Sequence, residues 1–582
     1  MKNGVKRYEK DVKKSEGTNV QAGSNVLSLL LTPFHSHSLL LFIISFSVYL
    51  LTMDRSVSWW DCGEFITTGW LLQVGHPSGA PVYQLLSHLF MLLSFGNPLW
   101  VAPLSNAFSA LCAAITVSLL YLTLRELGTR RLGATVGALC YMFCDTVWFS
   151  AVESEVYAMA MLFCAFDVWG ALRYRRTSNA RLLPLLALML GLGTGVHLMT
   201  LLVVPALALI ILSKTKKSGL ARVLLFSGLF FLLGLTPYAI IPIRASAHPP
   251  INEGDPSTPE RFMKYLQRDQ YAKAPVYPRM WRERDTANWS DWNAGRTDFL
   301  GNAAYYFTYQ LGYMYGRYLM YNFIGRENHR WHCVVLFILP LLLALWGLWQ
   351  HRKRCRRDWW VVMLLFLFGG IILNLYLNHP CYEPRSRDYA YVLSFYAVAL
   401  WIGIGADELP RHRWLRVLAL LAPLTLAVGN WSDHDRHNCH SVHDIALNHL
   451  ESCDRDAILI TLGDNDTFPL WYLQQVEQRR TDISIYHIGL TGWRNTEQIL
   501  VDNNFERPVY VTQYFYDRFA GLFPGRLRCE GFCWRLLPVA GDTTPVMHDA
   551  VQWHITDHEY VDRVSASFLK IWEQNTAACQ QP

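Results

Sequence analysis

The sequence predicts a mostly α-helical membrane protein with many crossings, followed by a smaller extracytoplasmic domain of mixed helices and strands. Hydrophobic residues make up 52% of the 582 positions and charged residues only 17%, a balance that is rare in soluble domains. Apolar runs of membrane-spanning length recur between His37 and Asn430, with Trp and Tyr at their ends. After Asn430 the composition becomes polar over about 150 residues, which is enough for one soluble α/β domain.

The apolar runs predict about eleven transmembrane helices. The predicted spans are 37–53, 102–124, 133–150, 156–173, 182–195, 198–212, 220–243, 331–349, 359–377, 389–407 and 414–430. The first run is as long as a membrane span rather than a signal core, so we expect no cleavable signal peptide. The predicted domains are therefore an N-terminal arm at 1–36, a membrane domain at 37–430 and a soluble domain at 431–582.

Basic residues lie in alternate loops and predict the orientation in the membrane. Lysine and arginine cluster in the N-terminal arm and in loops near 125–131, 173–181, 214–217, 352–357 and 411–416. These loops all fall on one side, so we expect a cytoplasmic N-terminus and an external C-terminal domain. The net charge of +6 is explained by these loops next to a lipid bilayer, and no nucleic-acid partner is predicted.

Most of the distinctive polar residues fall on the external side in this topology. The outer segments include the loops 54–101 and 244–330, the turn 378–388 and the C-terminal domain. The end of the 54–101 loop is amphipathic, which predicts a helix lying in the membrane interface rather than a further span.

Asp61 and Glu64 lie in the first outer loop, three residues apart and beside Trp59, Trp60 and Phe65. A carboxylate in a partly desolvated, apolar corner is suited to accept a proton, so these are the candidate catalytic residues. The alternative, which is commoner for an arbitrary acidic pair, is that they cap or solvate a short helix.

A second external group lies where two helices meet. Glu153, Glu155 and Tyr157 occur in the run AVESEVYAM, and His197 lies between two short spans near three glycines. Acids next to a membrane crossing are costly to bury and are often functional. Glu153 and Glu155 have an alternative role, which is to stabilise the dipole of the following helix. A lone histidine such as His197 is more often structural.

Arginines mark two further external sites. Arg244 ends a span, and Arg385, Arg387 and Asp388 lie at the outer end of another. Guanidinium groups bind phosphate oxygens in a bidentate manner, so these positions are suited to a lipid phosphate. Each arginine alone is better explained by snorkelling to the interface, and only the combination with the outer carboxylates is more specific.

The C-terminal domain begins with a predicted strand–helix–strand unit in AILITLGDNDTFPLWYLQQVEQRRTDISIYHIGL. The turn over 464–467 is rich in Asp and Asn, which fits a helix N-cap better than an acceptor or metal site. An external location permits disulfides among Cys439, Cys453, Cys529 and Cys533, although the pairing cannot be deduced. No zinc pattern and no phosphate-binding glycine loop is present in the sequence.

Several motifs together resemble a family of bacterial multi-pass proteins of formerly unknown function that is related to an animal transmembrane protein O-mannosyltransferase. They are WWDCGEFITTGWLLQVGHPSGAPVYQL, ESEVYAM, GVHLM, PIRA with NEGDP, EPRSRDYAYVLSFY and LGDNDTFPLWYLQ. The resemblance implies a GT-C type fold that transfers a sugar from a polyprenyl phosphate on the external face. It also implies that Asp61 is the catalytic base with Glu64 as helper, and that His76 joins the donor-binding group. Ser78 and Ser386 depart from the family pattern without touching the base.

The implied reaction needs no nucleotide and no general acid, and we expect no obligatory metal. The expected donor is polyprenyl-phosphate mannose, and the expected acceptor is the hydroxyl of a protein Ser or Thr. The tail resembles the bacterial members, so we expect an inner-membrane protein with a periplasmic C-terminal domain. The alternatives are a transporter or flippase of lipid-linked saccharides, which should carry polar residues at mid-bilayer, and an anchored assembly protein.

Overall fold

The computed structural model describes residues 36–541 except 216, 272, 280–289, 326–337, 382–384 and 411, together with the single positions 543, 546 and 570. Helices account for most of this part of the chain. They are α1 (Ser36–Thr52), α2 (Cys62–Leu71), α3 (Pro81–Met91), α4 (Val101–Glu126), α5 (Arg131–Met142), α6 (Asp145–Ala151), α7 (Val156–Thr177), α8 (Leu182–Thr194), α9 (Val204–Leu212), α10 (Lys217–Gly234), α11 (Ile240–Ala245), α12 (Pro259–Leu266), α13 (Phe299–Tyr305), α14 (Gly316–Phe323), α15 (Leu339–Arg354), α16 (Arg356–Phe366), α17 (Ile372–Leu377), α18 (Val392–Asp407), α19 (Arg413–His434), α20 (Ser441–Glu451), α21 (Phe468–Gln475), α22 (Ile488–Thr491), α23 (Trp493–Asn503) and α24 (Tyr516–Leu522).

The predicted membrane spans coincide with helices, but the number of crossings is not confirmed. Five helices in the described residues are long and apolar enough to cross a membrane, and α5 with α6 makes a sixth if this pair, bent by 65°, is one span. The helix α1, the helix α8 and the stretch Leu198–Leu212 are apolar but shorter. The first half of the span predicted at 331–349 lies largely outside the described residues.

The membrane helices pack closely around α18, where small residues allow backbones to approach. An added Cβ at Gly137 would lie 2.8 Å from the carbonyl oxygen of Ala399, and one at Gly133 would lie 2.5 Å from that of Gly403. On another side of α18, Gly347 of α15 lies against the backbone of Gly405. This helix is therefore the centre of the membrane core, and the motif that begins at Arg385 leads into its N-terminal end.

The first outer loop is folded rather than extended. It contains α2 and α3, and α3 buries Val82 and Tyr83 while it exposes Leu86 and Leu89. This amphipathic helix corresponds to the predicted interfacial segment, and its exposed leucines are suited to contact lipid.

The C-terminal domain contains a five-stranded sheet in the order β2-β1-β3-β5-β4. The strands are β1 (Ile458–Thr461), β2 (Ser484–His487), β3 (Val509–Thr512), β4 (Leu527–Glu530) and β5 (Cys533–Leu536). Strand β1 pairs in parallel with β2 and β3, whereas β5 pairs antiparallel with β3 and β4. The predicted strand–helix–strand unit is thus present as β1, α21 and β2.

The four cysteines of this domain, Cys439, Cys453, Cys529 and Cys533, are buried free thiols in this structure. The thiols of Cys453 and Cys533 both donate to the carbonyl oxygen of His449, at 3.4 and 3.5 Å. The disulfides that the sequence permits stay a prediction.

The C-terminal domain packs directly on the first outer loop. A shared apolar core joins Trp59, Ile66 and Met91 to Leu470 and Leu473. Helices α2 and α21 approach so closely that an added Cβ at Gly63 would lie 2.6 Å from the carbonyl oxygen of Phe468. Polar contacts flank this core, because Trp60 N donates to Asn465 Oδ1 at 2.7 Å and Gln73 Nε2 donates to Gln475 Oε1 at 2.7 Å.

Candidate active site

Asp61 lies at the N-cap position of α2, but its side chain does not cap the helix. The carboxylate instead lies 3.3 Å from Arg385 Nη2, and about a fifth of the side chain is exposed. The capping role that competes with a catalytic one is therefore not adopted here. Asp61 thus has a partly exposed carboxylate next to the start of α2.

Arg385 lies at the centre of the site. Its guanidinium group stacks on the rings of Trp60 and Tyr389, at 4.5 and 4.7 Å from their centroids. Its Nη1 atom lies 4.0 Å from Glu155 Oε1. Stacking of this kind fixes the plane of a guanidinium group and leaves its edge available for an anion.

Glu155 and Tyr157 belong to the same group of side chains around Asp61, Arg385 and Tyr389, which we call the recess. Burial and the charge of Asp61 raise the pKa of Glu155 well above its usual value, and Arg385 offsets only part of this rise. The Oε2 atom of Glu155 is buried and has no hydrogen-bond partner among the described residues. The Tyr157 ring lies 4.5 Å from that of Tyr389. The structure thus brings Asp61, Glu155 and Arg385 together, as the sequence predicted.

Glu64 lies one turn further along α2 and is fully buried. Its carboxylate accepts hydrogen bonds from the backbone nitrogen of His76 at 2.5 Å, and it lies 2.7 Å from His76 Nδ1. Burial alone would lower the pKa of His76, but the neighbouring Glu64 carboxylate more than offsets this and raises it to about 10. Glu64 and His76 therefore form an ion pair at neutral pH.

His197 lies at the edge of this recess and has a structural partner. Its ring lies 5.5 Å from that of Tyr157. Its Nδ1 atom accepts a hydrogen bond from the backbone nitrogen of Met199 at 3.1 Å. Burial lowers the pKa of His197 to about 4, so the ring is neutral.

Glu153 lies apart from this recess, although it is only two residues from Glu155. Its Oε2 atom accepts a hydrogen bond from Arg436 Nη1 at 2.7 Å, and both side chains are buried. This ion pair connects the start of α7 to the segment that follows α19. Its geometry indicates a role in joining the two domains.

Arg244 lies at the opposite end of α2 from Asp61. Its Nε and Nη2 atoms donate to the carbonyl oxygens of Leu72 and Leu71, at 2.5 and 3.2 Å. Because α2 has ten residues, this end is about 15 Å from Asp61. The structure thus places Arg244 apart from Asp61 and Arg385, although the sequence predicted that Arg244 binds the leaving phosphate together with Arg385 or Arg387.

Arg387 and Asp388 follow Arg385 but have different environments. Arg387 Nη1 donates to the Tyr389 hydroxyl at 2.9 Å, which keeps it beside the recess. Asp388 is buried and accepts a hydrogen bond from Thr146 Oγ1 at 2.6 Å. This acid therefore anchors the start of α18 to α6.

Two further acids near the recess were not among the predicted site residues. Glu253, in the NEGDP run, is buried beside Glu64 and His76. Asp464 is in the turn of the C-terminal domain, where partial desolvation and the charges of Asp61 and Glu64 raise its pKa to about 6. Both acids lie in runs rich in Gly, Asp and Asn, and such runs are typical of turns. The residue types of a turn do not indicate which distant part of the chain it contacts.

The cap that the sequence predicts in this turn is partly present. Asp466 accepts hydrogen bonds from the backbone nitrogens of Leu462 and Gly463, at 3.2 and 2.7 Å. In the described part of the chain, no group of three or more His, Cys, Asp or Glu side chains is arranged to hold a metal ion. Asp466 therefore stabilises the backbone of the turn. Asp464 and Asn465 face the first outer loop.

Comparison with known proteins agrees with the motifs. Residues 61–220 match the model described as the protein O-mannosyl-transferase TMEM260 N-terminal domain, and residues 442–494 match TMEM260-associated domain 2. These two segments contain α2 and α21, the helices that pack against each other beside Asp61.

Two curated relatives and a solved structure are also similar. The chain is 22% identical to the protein O-mannosyl-transferase tmem260 of Dictyostelium discoideum, over 78% of this chain and 57% of the relative. It is 23% identical to TMEM260 of Mus musculus, over 75% of this chain and 60% of the relative. It thus spans less than two thirds of both. The crystal structure of ArnT from Cupriavidus metallidurans bound to undecaprenyl phosphate aligns with 87% of this chain and 98% of its own, at 12% identity and a TM-score of 0.41.

The resemblance that the sequence motifs predicted is therefore confirmed, because the chain matches both the TMEM260 N-terminal domain and TMEM260-associated domain 2.

Proposed function

We propose that this protein is a glycosyltransferase that moves a sugar from a polyprenyl-phosphate donor to an acceptor hydroxyl on the external face of the membrane. The observation that carries the proposal is the partly exposed Asp61 carboxylate, which makes no capping bond and lies 3.3 Å from Arg385. A base next to a fixed cation is the arrangement that this transfer needs, because one group accepts a proton while the other stabilises the phosphate.

Asp61 is a better candidate for the base than Glu64. The Glu64 carboxylate is buried and already held by the backbone and ring of His76, so it has no exposed edge for an acceptor hydroxyl. The Asp61 carboxylate is partly exposed and has one long contact to a cation. A base must come within hydrogen-bond distance of the proton that it accepts, which Asp61 is free to do.

Arg385 is the candidate for the phosphate-binding residue, with Arg387 beside it. The two stacked rings hold the Arg385 guanidinium group near both Asp61 and Glu155. Burial raises the pKa of Glu155 well above its usual value, which favours the neutral form of this acid and leaves Arg385 able to attract a phosphate. Arg244 is about a helix length away and is bound to carbonyl oxygens, so its role is to stabilise the end of α2.

The reaction is a single displacement. Asp61 accepts the proton of the acceptor hydroxyl, whose oxygen forms a bond to the anomeric carbon. The bond from that carbon to the phosphate oxygen breaks, and the lipid phosphate leaves with its charge stabilised by Arg385. The anomeric configuration is inverted, and no metal is obligatory in this scheme.

The finer assignments rest on the similarity to the O-mannosyltransferases. We assign mannose as the sugar, polyprenyl-phosphate mannose as the donor and protein Ser or Thr as the acceptor. We also assign the chain to a bacterial inner membrane with a periplasmic C-terminal domain. Five long apolar helices support the membrane location, and the basic loops support the orientation.

The test is sugar transfer by the purified protein in detergent, with polyprenyl-phosphate mannose as donor. We expect Asp61→Asn to lower the rate about 1,000-fold, the size typical of a lost general base, while its melting temperature stays near that of the unaltered protein. Arg385→Lys should also lower the rate, whereas Arg244→Lys should mainly lower the melting temperature. Full activity of Asp61→Asn would overturn the assignment of the base. Specific binding of lipid-linked sugars without transfer would favour a transporter.

A further inference from the structure

The second outer loop is joined to the first one next to the candidate active site. The backbone nitrogen of Val74 donates to the carbonyl oxygen of Ile251, and that of Glu253 donates to the carbonyl oxygen of Val74, both at 3.1 Å. The backbone nitrogen of Ile251 also donates to Gln73 Oε1 at 2.8 Å. These bonds form a parallel bridge, so the position of Glu253 is fixed by the loop that carries Glu64 and His76.

The register of this bridge brings Glu253 beside the Glu64–His76 pair. Val74 pairs with Asn252, so Glu253 is in register with Gly75. An added Cβ at Gly75 would collide with Glu64 Oε1, which means that the Glu64 carboxylate fills the space where a side chain would be. Adjacent strands lie about 5 Å apart, so Glu253 is a close neighbour of that carboxylate.

One oxygen of the Glu253 carboxyl group is buried without a partner. The residue is 5% exposed, and its Oε1 atom has no hydrogen-bond partner among the described residues. Burial and the Glu64 carboxylate raise the pKa of Glu253 well above its usual value, and the protonated His76 offsets only part of this. The raised pKa favours the protonated form of Glu253, which has a hydrogen to donate.

A purely structural acid is not expected to look like this. Buried polar groups in folded proteins are nearly always paired, and an unpaired one costs free energy without any gain to the fold. The Glu64–His76 pair needs no third group, because the carboxylate already has two partners. A neutral carboxyl group held against this pair is best explained by a ligand that supplies the missing hydrogen bond.

The spacing along α2 indicates which ligand this is. Glu64 follows Asp61 by three residues, which places the two acids about 4.5 Å apart along the helix axis and on one face. If the anomeric carbon of the donor lies at Asp61, the rest of the sugar ring extends towards Glu64, His76 and Glu253. Sugar hydroxyl groups both donate and accept, so they match a charged pair next to a neutral acid.

We propose that Glu253 is a donor-binding residue whose carboxyl group, next to the Glu64–His76 pair, hydrogen-bonds a hydroxyl group of the sugar that is transferred. This inference rests on the proposed transferase function and deepens it. The Asp61–Arg385 end of the site holds the reacting atoms, and the Glu253 end selects the sugar.

The experiment compares Glu253→Ala and Glu253→Gln with the unaltered protein, using polyprenyl-phosphate mannose and its monodeoxy analogues as donors. We expect Glu253→Ala to lower kcat/KM for mannose about 10- to 100-fold, mainly through KM for the donor, as for a lost hydrogen bond to a substrate hydroxyl. Glu253→Gln keeps a hydrogen-bond donor, so its kcat/KM should fall less than that of Glu253→Ala. Glu260→Ala is the matched control, because Glu260 is an exposed acid of the same loop.

The deoxy donors separate a ligand contact from a structural role. With the unaltered protein, each deoxy donor that lacks a bound hydroxyl should give a lower kcat/KM than the full donor. For one analogue this decrease in kcat/KM should disappear in Glu253→Ala, because the deoxy sugar and the substitution remove the same hydrogen bond. If Glu253→Ala does not fold, the same comparison with Glu253→Leu decides, because leucine fills a similar volume and makes no hydrogen bond. If every deoxy donor lowers kcat/KM by the same factor in Glu253→Ala as in the unaltered protein, the inference is overturned and the transferase function still stands. Absence of transfer by the unaltered protein from any sugar donor would overturn both.

Discussion

Asp61 and Glu64 lie one helical turn apart on α2 but have opposite environments. Asp61 is partly exposed and faces Arg385, whereas Glu64 is buried and paired with His76. Two carboxyl groups in different surroundings are suited to different roles, one for proton transfer and one for holding structure.

The Glu64–His76 pair predicts a pH dependence of stability. The pKa of His76 is raised to about 10 from its ordinary 6.5, so the stabilisation is complete below pH 6.5 and is lost as the pH rises through 10. We expect Glu64→Gln to lower the apparent melting temperature by roughly 5 °C at pH 6 and by much less at pH 10. Thermal unfolding in detergent at both pH values measures this, with Glu260→Gln as a control. An equal loss at both pH values would contradict the ion pair.

The sequence identified part of this site and missed the rest for a physical reason. Residue type and topology predicted that Asp61, Glu155 and Arg385 belong together. The sequence around Arg385 gives no sign that this residue, 324 positions after Asp61, stacks on Trp60. Glu253 was missed because its run reads as turn chemistry, and only the bridge to Val74 reveals its neighbours.

At the scale of elements, α2 is the central one. It carries both acids, its C-terminal end is held by Arg244, and one face packs on α21. The helices of the membrane domain were readable as apolar runs. The crossing count was not, because α1 and α8 have fewer than the roughly 20 residues that a span needs. The packing of α2 on α21 could not be predicted from the sequence either, because both helices are short and lie far apart in the chain.

The contact between α2 and α21 predicts that Gly63 tolerates no side chain. A methyl group there would collide with the backbone of Phe468, which cannot move without shifting α21. We expect Gly63→Ala to lower the melting temperature and the rate of sugar transfer together, each clearly below the unaltered protein. Gly228→Ala is the matched control, because an added Cβ at this helical glycine meets nothing within 4 Å. Normal stability of Gly63→Ala would contradict the close approach.

At the scale of the whole molecule, the membrane domain and the C-terminal domain share an apolar core. Trp59 and Met91 from the first outer loop pack with Leu470, Leu473 and Tyr510 from the C-terminal domain. The buried Glu153–Arg436 pair is a second link between them. The two parts thus differ in composition but are not independent folding units.

This arrangement predicts that the membrane domain does not function alone. A chain that ends after His434 would expose the apolar side of α2 and leave Glu153 without its cation, and an uncompensated buried charge costs about 3–5 kcal/mol. We expect this truncated protein to aggregate in detergent and to transfer no sugar. Size-exclusion chromatography and the transfer assay measure both. A monodisperse, active truncation would show that the shared core is dispensable.

The shared core also limits how this chain can change over evolution or in the laboratory. Because Gly63 and Phe468 touch, and Trp60 binds Asn465, the first outer loop and the C-terminal domain present one matched surface encoded in two distant stretches. A chimera that takes only its tail from a relative would bring a foreign surface against α2. Exchange of residues 54–101 together with the tail keeps the match, so we expect an active chimera only when both stretches come from the same relative.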